Sequence, residues 1–164
     1  PLGSMVAIGD RDALWLLEYA DRNNLESLID RLATRVESGA IVDQDHPIAR
    51  IREELAAFFA GTRSSFETPL AFRGTEFQRS VWTAIQSIPV GHTCSYAELA
   101  SRAARPRAIR AAASANGANP FAIVVPCHRI VRANGELGDY GGGVRRKRWL
   151  LDHEKQVVDG QLRY

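Results

Sequence analysis

A cysteine flanked by a proline and two side chains that can carry positive charge is the group with the clearest chemical potential. Cys127 follows Pro126 and precedes His128 and Arg129. The thiolate is the nucleophilic form of cysteine, and neighbouring cations favour it by lowering the thiol pKa. We expect a pKa depressed by about two units, which makes the anion the main form at neutral pH and keeps it nucleophilic. The alternative is a buried cysteine that serves only as a small apolar residue.

A short apolar run precedes the cysteine and is expected to position it. Residues 121–125 are Phe-Ala-Ile-Val-Val, and prolines lie at both ends, Pro120 and Pro126. β-Branched residues between such breakers are typical of a buried strand. We therefore predict a short active-site strand that holds the thiol at a fixed point.

The composition limits the classes of protein to consider. With 164 residues, 45% of them hydrophobic, the chain is long enough for one domain with a true core, or for a small domain with an extension. No apolar run approaches the ~20 residues that cross a bilayer, so we expect no membrane contact. Two cysteines are too few for a disulfide framework, and they form no metal-ligand spacing with the four histidines. We expect a cytoplasmic protein without a bound metal.

Positive charge is concentrated around the cysteine. Residues 101–149 hold 10 Lys and Arg against 2 Asp and Glu, whereas residues 1–100 hold 9 Arg against 14 acidic residues. A basic block is more often a solvated face than a nucleic-acid site. Because this block surrounds the candidate nucleophile, we expect a polyanionic substrate.

The first part of the chain, residues 1–73, has the pattern of a small α/β scaffold domain. Apolar residues alternate with turn residues near its start and recur at helical spacing further on. In order, the pattern predicts a β-hairpin of residues 5–8 and 13–19, helices over 24–37 and from Pro47 to Gly61, and a looser strand over 66–72.

The second part, residues 74–164, is predicted to be mostly helical and to hold the chemistry. Two capping boxes, Thr75 with Gln78 and Ser95 with Glu98, each mark a helix start. The predicted helices run up to Pro89, over 96–103, over 107–116 with Pro106 as first helical residue, and over 144–155. The middle two form a helix-turn-helix candidate. The fold class is therefore α/β (α+β), with a small hairpin domain followed by a mostly helical catalytic domain.

The predicted helix over 107–116 is almost free of bulky side chains. Alanine predominates, and Arg110 is the long side chain of its middle turns. One interpretation is a small-residue face against which another helix packs closely. The other is a helix pressed against DNA, where small residues allow close approach and the arginine enters the base stack.

A glycine-rich segment and a basic helix start follow the cysteine. Residues 138–143 are Gly-Asp-Tyr-Gly-Gly-Gly, without the Lys-Ser/Thr of a phosphate loop. We expect this segment to form the wall of a pocket for a planar ligand. The next helix begins with four basic residues, Arg145, Arg146, Lys147 and Arg148. Because such residues oppose the helix dipole in a first turn, we expect them to contact phosphate.

Residues 74–154 resemble the catalytic domain of the O6-alkylguanine-DNA alkyltransferases, or methylated-DNA--protein-cysteine methyltransferases, which are suicide DNA-repair proteins. The matching motifs are G-T-E-F-Q-R-S-V-W, I-P-V-G-H-T-C-S-Y-A-E-L-A, R-P-R-A-I-R-A-A-A-S-A-N-G-A-N-P, I-V-V-P-C-H-R-I-V, G-D-Y-G-G-G and W-L-L-D-H-E. The resemblance is dense over about half of the chain and looser over the part before it.

The resemblance implies a role for each residue of the site. Cys127 is the alkyl acceptor, His128 polarises a water bonded to the sulfur, and Glu154 orients His128. Asn119 braces the active-site segment, and Tyr96 donates to the flipped guanine and so stabilises the departing anion. The reaction leaves S-alkylcysteine, so each molecule acts once and needs no cofactor.

The resemblance also implies how DNA is bound. The partner is double-stranded DNA bearing O6-alkylguanine, with O4-alkylthymine as a further substrate, and a monomer approaches it through the minor groove. The damaged base is turned out of the duplex, and Arg110 fills the space that it leaves. The other implied contacts are Ala111, Ala113, Ser95 and Asn134 for DNA, and the backbones of Tyr140, Gly141, Gly142, Cys127 and Ile130 for the base.

Several alternatives stay open. Asp139 and Gly141 depart from the usual family pattern, which bears on pocket width and on the range of alkyl groups. The chain is either a repair protein by itself or the C-terminal domain of an adaptive-response regulator, and residues 1–4 are either native or a tag remnant. The competing functions are a damage sensor that transfers nothing, against which Cys127 argues, and a Cys-His hydrolase, which also requires an oxyanion hole and turnover.

Overall fold

The computed structural model describes residues 1–33 and 46–160, and its mixture of helices with two small sheets confirms the predicted fold class. In chain order the elements are β1 (Met5–Gly9), β2 (Leu14–Tyr19), α1 (Leu25–Ala33), α2 (Pro47–Phe59), α3 (Glu76–Gln86), β3 (Cys94–Ser95), α4 (Tyr96–Arg102), α5 (Ile109–Gly117), a 3-10 turn (Cys127–Arg129), β4 (Ile130–Val131) and α6 (Val144–Val158). No helix in this described part is long and apolar enough to cross a membrane.

The N-terminal hairpin forms as the sequence pattern predicts. β1 and β2 pair antiparallel, with Met5 opposite Tyr19. The carboxylate of Asp10 closes the turn by accepting from the backbone N–H groups of Asp12 and Ala13, both at 2.9 Å. Every residue of β2 is buried, so this strand runs through the core rather than along the surface.

Both predicted capping boxes are present, and they start α3 and α4. The helix-turn-helix pair is α4 and α5. α5 begins at Ile109, two residues later than expected, because Ala108 N–H bonds to Arg105 O at 2.8 Å and closes a turn that includes Pro106. α1 is described only as far as Ala33, and the rest of its predicted span lies outside the described residues.

The predicted strand over 66–72 is wrong. It makes one parallel bridge, from Leu70 to Leu14, and is otherwise irregular. The carboxylate of Glu54 takes up its backbone donors instead, accepting from Glu67 N–H at 3.0 Å and from Thr68 N–H at 3.2 Å. Those N–H groups are therefore not available to a neighbouring strand.

The predicted strand over 121–125 is also wrong, since this segment folds into turns. Val124 N–H bonds to Ala122 O at 2.9 Å, and Val125 N–H to Phe121 O at 3.0 Å. Ile123 has a φ of 72°, in the left-handed region that β-branched residues rarely adopt. Its side chain is only 1% exposed, so apolar burial offsets the backbone strain.

One continuous core joins the two parts of the chain. Leu14 and Leu17 of the hairpin and Ile51 of α2 pack in the same buried cluster as Val81 and Trp82 of α3. A second cluster places Tyr19 and Phe58 against residues of the second part, Ala122, Ile123 and Leu150. The first part therefore supports the segment that ends at Cys127.

We expect Glu54→Ala to lower the free energy of unfolding by about 2 to 4 kcal/mol, because buried donors of Thr68 lose their acceptor. Chemical denaturation of both variants is the measurement. The matched control is Glu53→Ala, at an exposed position of the same helix, which should change stability by less than about 0.5 kcal/mol. Equal effects of the two substitutions would contradict the role given to Glu54.

Candidate active site

A cavity of about 330 Å³ opens beside Cys127, between β2, α4, α5 and the glycine-rich segment. Its volume lies within the range of small-ligand sites. The structure brings seven residues of the predicted site together on its walls: Cys127, Tyr96, Asn119, Ala113, Tyr140, Gly141 and Gly142. Cys127 is 8% exposed, so the thiol is reached chiefly through this cavity.

Asn119 holds both ends of the turn that precedes the cysteine. Its Nδ2 donates to Val125 O at 2.8 Å, and its Oδ1 accepts from Phe121 N–H at 3.0 Å. Nδ2 also lies 3.1 Å from Cys127 Sγ, where it favours the thiolate. One buried amide thus holds the backbone and the sulfur together.

Burial raises the pKa of the Cys127 thiol to about 11. The hydrogen bond from Asn119 and the positive charges of Arg22 and Lys147 oppose this rise without reversing it. The predicted depression of the pKa is therefore wrong. Its supposed cause is absent, because Glu154 neutralises Arg129 and burial keeps His128 uncharged.

The carboxylate of Glu154 binds both residues that follow the cysteine. Its Oε1 lies 2.7 Å from His128 Nε2, and the Arg129 guanidinium donates to its two oxygens at 2.8 to 3.2 Å. Although burial alone would raise the pKa of Glu154, the bonds to His128 and Arg129 lower it to about 2. The carboxylate is therefore ionised at neutral pH.

His128 is a base with one free nitrogen. Burial lowers the pKa of His128 below its ordinary value and outweighs the opposing effect of Glu154. Because an ionised carboxylate only accepts, the proton between them belongs to His128 Nε2. Nδ1 is then unprotonated, and it has no hydrogen-bond partner among the described residues. It is suited to accept the thiol proton through a bridging water.

Two protonated tyrosines border the cavity. Burial raises the pKa of Tyr96, and the nearby Asp139 and Cys127 raise it further. The pKa of Tyr140 lies well above its ordinary value, again chiefly because of burial. Both hydroxyls therefore keep their protons at neutral pH, and the hydroxyl of Tyr96 is available as a hydrogen-bond donor.

Lys147 does not face solvent, so the predicted phosphate contact is wrong for this residue. Its Nζ donates to Ile130 O at 2.5 Å and to Asp139 O at 3.2 Å, and burial lowers its pKa to about 8. Arg145 and Arg148 of the same helix are exposed.

Ile130, a predicted base contact, is buried outside the cavity lining, and its carbonyl is bound to Lys147.

The residues predicted to contact DNA lie at or near the surface. Arg110 and Ala111 are exposed on α5, and Ala113 of the same helix lines the cavity. Helix α5 therefore extends from the surface to the site. Ser95 caps α4, and the exposed Asn134 accepts from Glu136 N–H within a turn at 3.1 Å.

Sequence reasoning missed two charged residues of the N-terminal part that line the cavity. They are Glu18, at the end of β2, and Arg22, in the turn that follows. The available indication was a single acidic residue within the apolar run 14–19, since a buried charge requires a partner. Among the described residues, the site included, no cluster of His, Cys, Asp and Glu could hold a metal ion.

Known proteins resemble this chain in sequence. The family described as 6-O-methylguanine DNA methyltransferase, DNA binding domain, matches residues 76–156. The methylated-DNA--protein-cysteine methyltransferase of Salmonella typhimurium is 42% identical over 163 residues, which cover 96% of this chain and 93% of that protein. The protein of the same name from Mycobacterium tuberculosis is 52% identical over 110 residues, or 67% of each chain.

Solved structures resemble it in fold. The crystal structure of Mycobacterium tuberculosis OGT in complex with DNA aligns with a TM-score of 0.80 and 37% identity, covering 99% of this chain and 94% of that one. The O6-methylguanine-DNA methyltransferase of Pyrococcus kodakaraensis aligns with a TM-score of 0.62 and 26% identity, covering 92% and 96%. These relatives define the class, that of DNA alkyltransferases. The chain belongs to the methylated-DNA--protein-cysteine methyltransferase family.

We expect the reactivity of Cys127 toward a small electrophile to rise throughout the pH range in which the fold is stable. In a Cys94→Ser background, alkylation by iodoacetamide should accelerate about tenfold per pH unit from about pH 7 to about pH 9.5, because the thiolate fraction grows until the pKa is reached. That pKa is about 11. Mass spectrometry gives the rates, and an unfolded sample, which should level off near pH 8.5, is the control. A plateau in the folded protein below about pH 9 would contradict the raised pKa.

Proposed function

We propose that this protein repairs DNA by irreversible, stoichiometric transfer of the alkyl group from O6-alkylguanine, and from O4-alkylthymine, to its own Cys127. The observation that supports this most is the cavity of about 330 Å³. The thiol of Cys127 lies in its wall, and α5, the second helix of the helix-turn-helix pair, lies at its edge. The family relationship supports the same reaction.

The thiol pKa requires that proton removal accompanies the transfer. A thiol of pKa about 11 is only about one part in ten thousand thiolate at neutral pH. In the proposed mechanism the thiol proton passes through a bridging water to His128 Nδ1, and Glu154 stabilises the imidazolium that forms. His128 thus removes the proton as the alkyl group is transferred, and no preformed thiolate is required.

The transfer itself is an in-line displacement. A bond forms between Cys127 Sγ and the alkyl carbon as the bond from that carbon to the guanine oxygen breaks. Tyr96 donates to the departing base, which leaves as neutral guanine, so that in sum the thiol proton moves to the base. The product is a thioether, which has no easy leaving reaction, and each molecule therefore acts once.

The target base must leave the duplex to reach the cavity, at a cost of a few kcal/mol. Arg110 is the proposed residue that fills the vacated space, since it is exposed and has no salt-bridge partner among the described residues. The small side chains Ala111 and Ala113 allow close approach of α5 to the minor groove. Ser95 and Asn134 are proposed as further contacts at the surface beside it.

The proposal also covers the domain boundaries, the oligomeric state and the cellular location of the protein. Residues 1–73 form the scaffold domain and residues 74–164 the DNA-binding and alkyl-acceptor domain, which the family match over 76–156 supports. The protein acts as a monomer in the bacterial cytoplasm and associates with the nucleoid when it is on DNA. The free state of both described cysteines is consistent with a reducing compartment.

Duplex DNA containing O6-methylguanine should add a single methyl group to the protein, and the amount should saturate at equimolar DNA. Intact mass with peptide mapping is the measurement, and the methyl should lie on Cys127. The Cys127→Ala variant should bind the same DNA without a change of mass. Repeated turnover would indicate the hydrolase, and tight binding by the wild-type protein with unchanged mass would indicate the damage sensor.

Arg110→Ala should slow repair of duplex DNA by about 10- to 100-fold, because a side chain wedged into the stack is worth about 1 to 3 kcal/mol. Reaction with free O6-alkylguanine should change little, since no base has to be displaced. Single-turnover rates on the two substrates are the measurement. Arg107→Ala, which removes the same charge from an exposed position just before α5, is the matched control. Equal losses on both substrates would contradict the role of Arg110.

A further inference from the structure

An ion pair in the cavity wall has no role in the mechanism above. Glu18 and Arg22 both line the cavity, yet they lie outside residues 76–156, which match the family. Their side chains are 2% and 7% exposed. Removing two charges from water is unfavourable unless good hydrogen bonds offset it, so a buried pair beside a reactive thiol requires an explanation.

The guanidinium of Arg22 joins three segments that form the cavity. Its Nη1 donates to the Glu18 carboxylate and, at 3.1 Å, to the main-chain oxygen of Asn119. Its Nη2 donates to the main-chain oxygen of Gly117 at 2.7 Å, where α5 ends. Arg22 therefore links the hairpin to the DNA-binding helix and to the residue that braces Cys127.

The same guanidinium occupies the space beside Gly141. A Cβ added at Gly141 would lie 3.1 Å from Arg22 Cζ and 3.3 Å from its Nε and Nη2. These contacts are tighter than normal, so the guanidinium would have to shift by a few tenths of an ångström against the three acceptors that hold it. The structure thus gives a physical reason for glycine at one of the two positions that depart from the family pattern.

We propose that Arg22, held in place by Glu18, is a specificity-determining residue of the alkyl pocket and replaces the side chain that position 141 lacks. The inference rests on the proposed function and adds to it the class of alkyl group that is accepted. The planar guanidinium closes one wall of the cavity that contains Cys127. A methyl group fits within that wall, whereas a bulky group such as benzyl competes with Arg22 for space.

A double-mutant cycle tests this relation. The four proteins are the wild type, Arg22→Ala, Gly141→Ser and the double variant, and the substrates are duplexes with O6-methylguanine or O6-benzylguanine. The readout is the single-turnover rate constant on each duplex, with the melting temperature of each protein as a check of folding. Arg22→Lys, which keeps the charge but not the planar wall, is the matched variant if Arg22→Ala does not fold.

Arg22→Ala should raise the ratio of benzyl to methyl transfer about tenfold, because removing side-chain bulk from a pocket changes discrimination by that order. Gly141→Ser alone should slow methyl transfer about tenfold. The double variant should transfer methyl about tenfold faster than the product of the two single effects predicts. An unchanged benzyl-to-methyl ratio in Arg22→Ala, or effects that simply multiply, would overturn the inference.

Failure of the role given to Arg22 can be distinguished from failure of the proposed function. If the wild-type protein does not take up methyl from O6-methylguanine, the proposed function fails and the cycle is not needed to show it. If the wild type is methylated on Cys127 and the cycle shows no coupling, only the role of Arg22 fails. A general loss of folding would lower both rates in proportion and leave their ratio unchanged, so the ratio separates a specific role from a structural one.

Discussion

The buried carboxylate of Glu154 is the group on which the active site depends. It binds His128 and Arg129 and also accepts from Gly91 N–H at 3.3 Å, while Arg129 donates to Ile88 O at 2.5 Å. One charge thereby holds together α6, the turn that begins with Cys127, and the segment between α3 and β3. Removing either partner of such a pair leaves an uncompensated buried charge and costs about 3 to 5 kcal/mol. The same interaction decides the chemistry, because an ionised Glu154 leaves His128 with its free nitrogen at Nδ1.

Burial of the thiol has two opposite consequences. It raises the pKa to about 11, so the sulfur is almost entirely protonated and unreactive toward electrophiles in solution. It also places the sulfur in the wall of a cavity that Asn119 and Tyr96 line as well. This arrangement suits a protein that reacts once, because the thiol stays unreacted until an alkylated DNA base enters the cavity.

The N-terminal hairpin belongs to the site as much as to the scaffold. β2 is buried along its whole length, and Glu18 near its end lines the cavity. A Cβ on Gly142 would overlap the Tyr19 ring, just as one on Gly141 would press on Arg22. The glycine-rich segment therefore approaches the hairpin closely because two of its residues have no side chain. The walls of the cavity come from both parts of the chain.

The features that the sequence determined by itself are those that depend on near neighbours. The capping boxes of Thr75 with Gln78 and Ser95 with Glu98 were predictable because each joins residues three apart, and the cysteine motif was recognisable because its residues are adjacent. Tertiary structure decided the rest. The strand over 121–125 was wrong because Asn119 and the core impose turns on an apolar run. The thiol pKa was wrong because burial and the pairing of Arg129 with Glu154 outweigh adjacency. Arg22 was missed because its acceptors on Gly117 and Asn119 lie 95 and 97 residues away. Local hydrogen bonds join residues that are close in sequence and can be predicted from it. Burial and charge compensation depend on which distant residues the fold brings into contact.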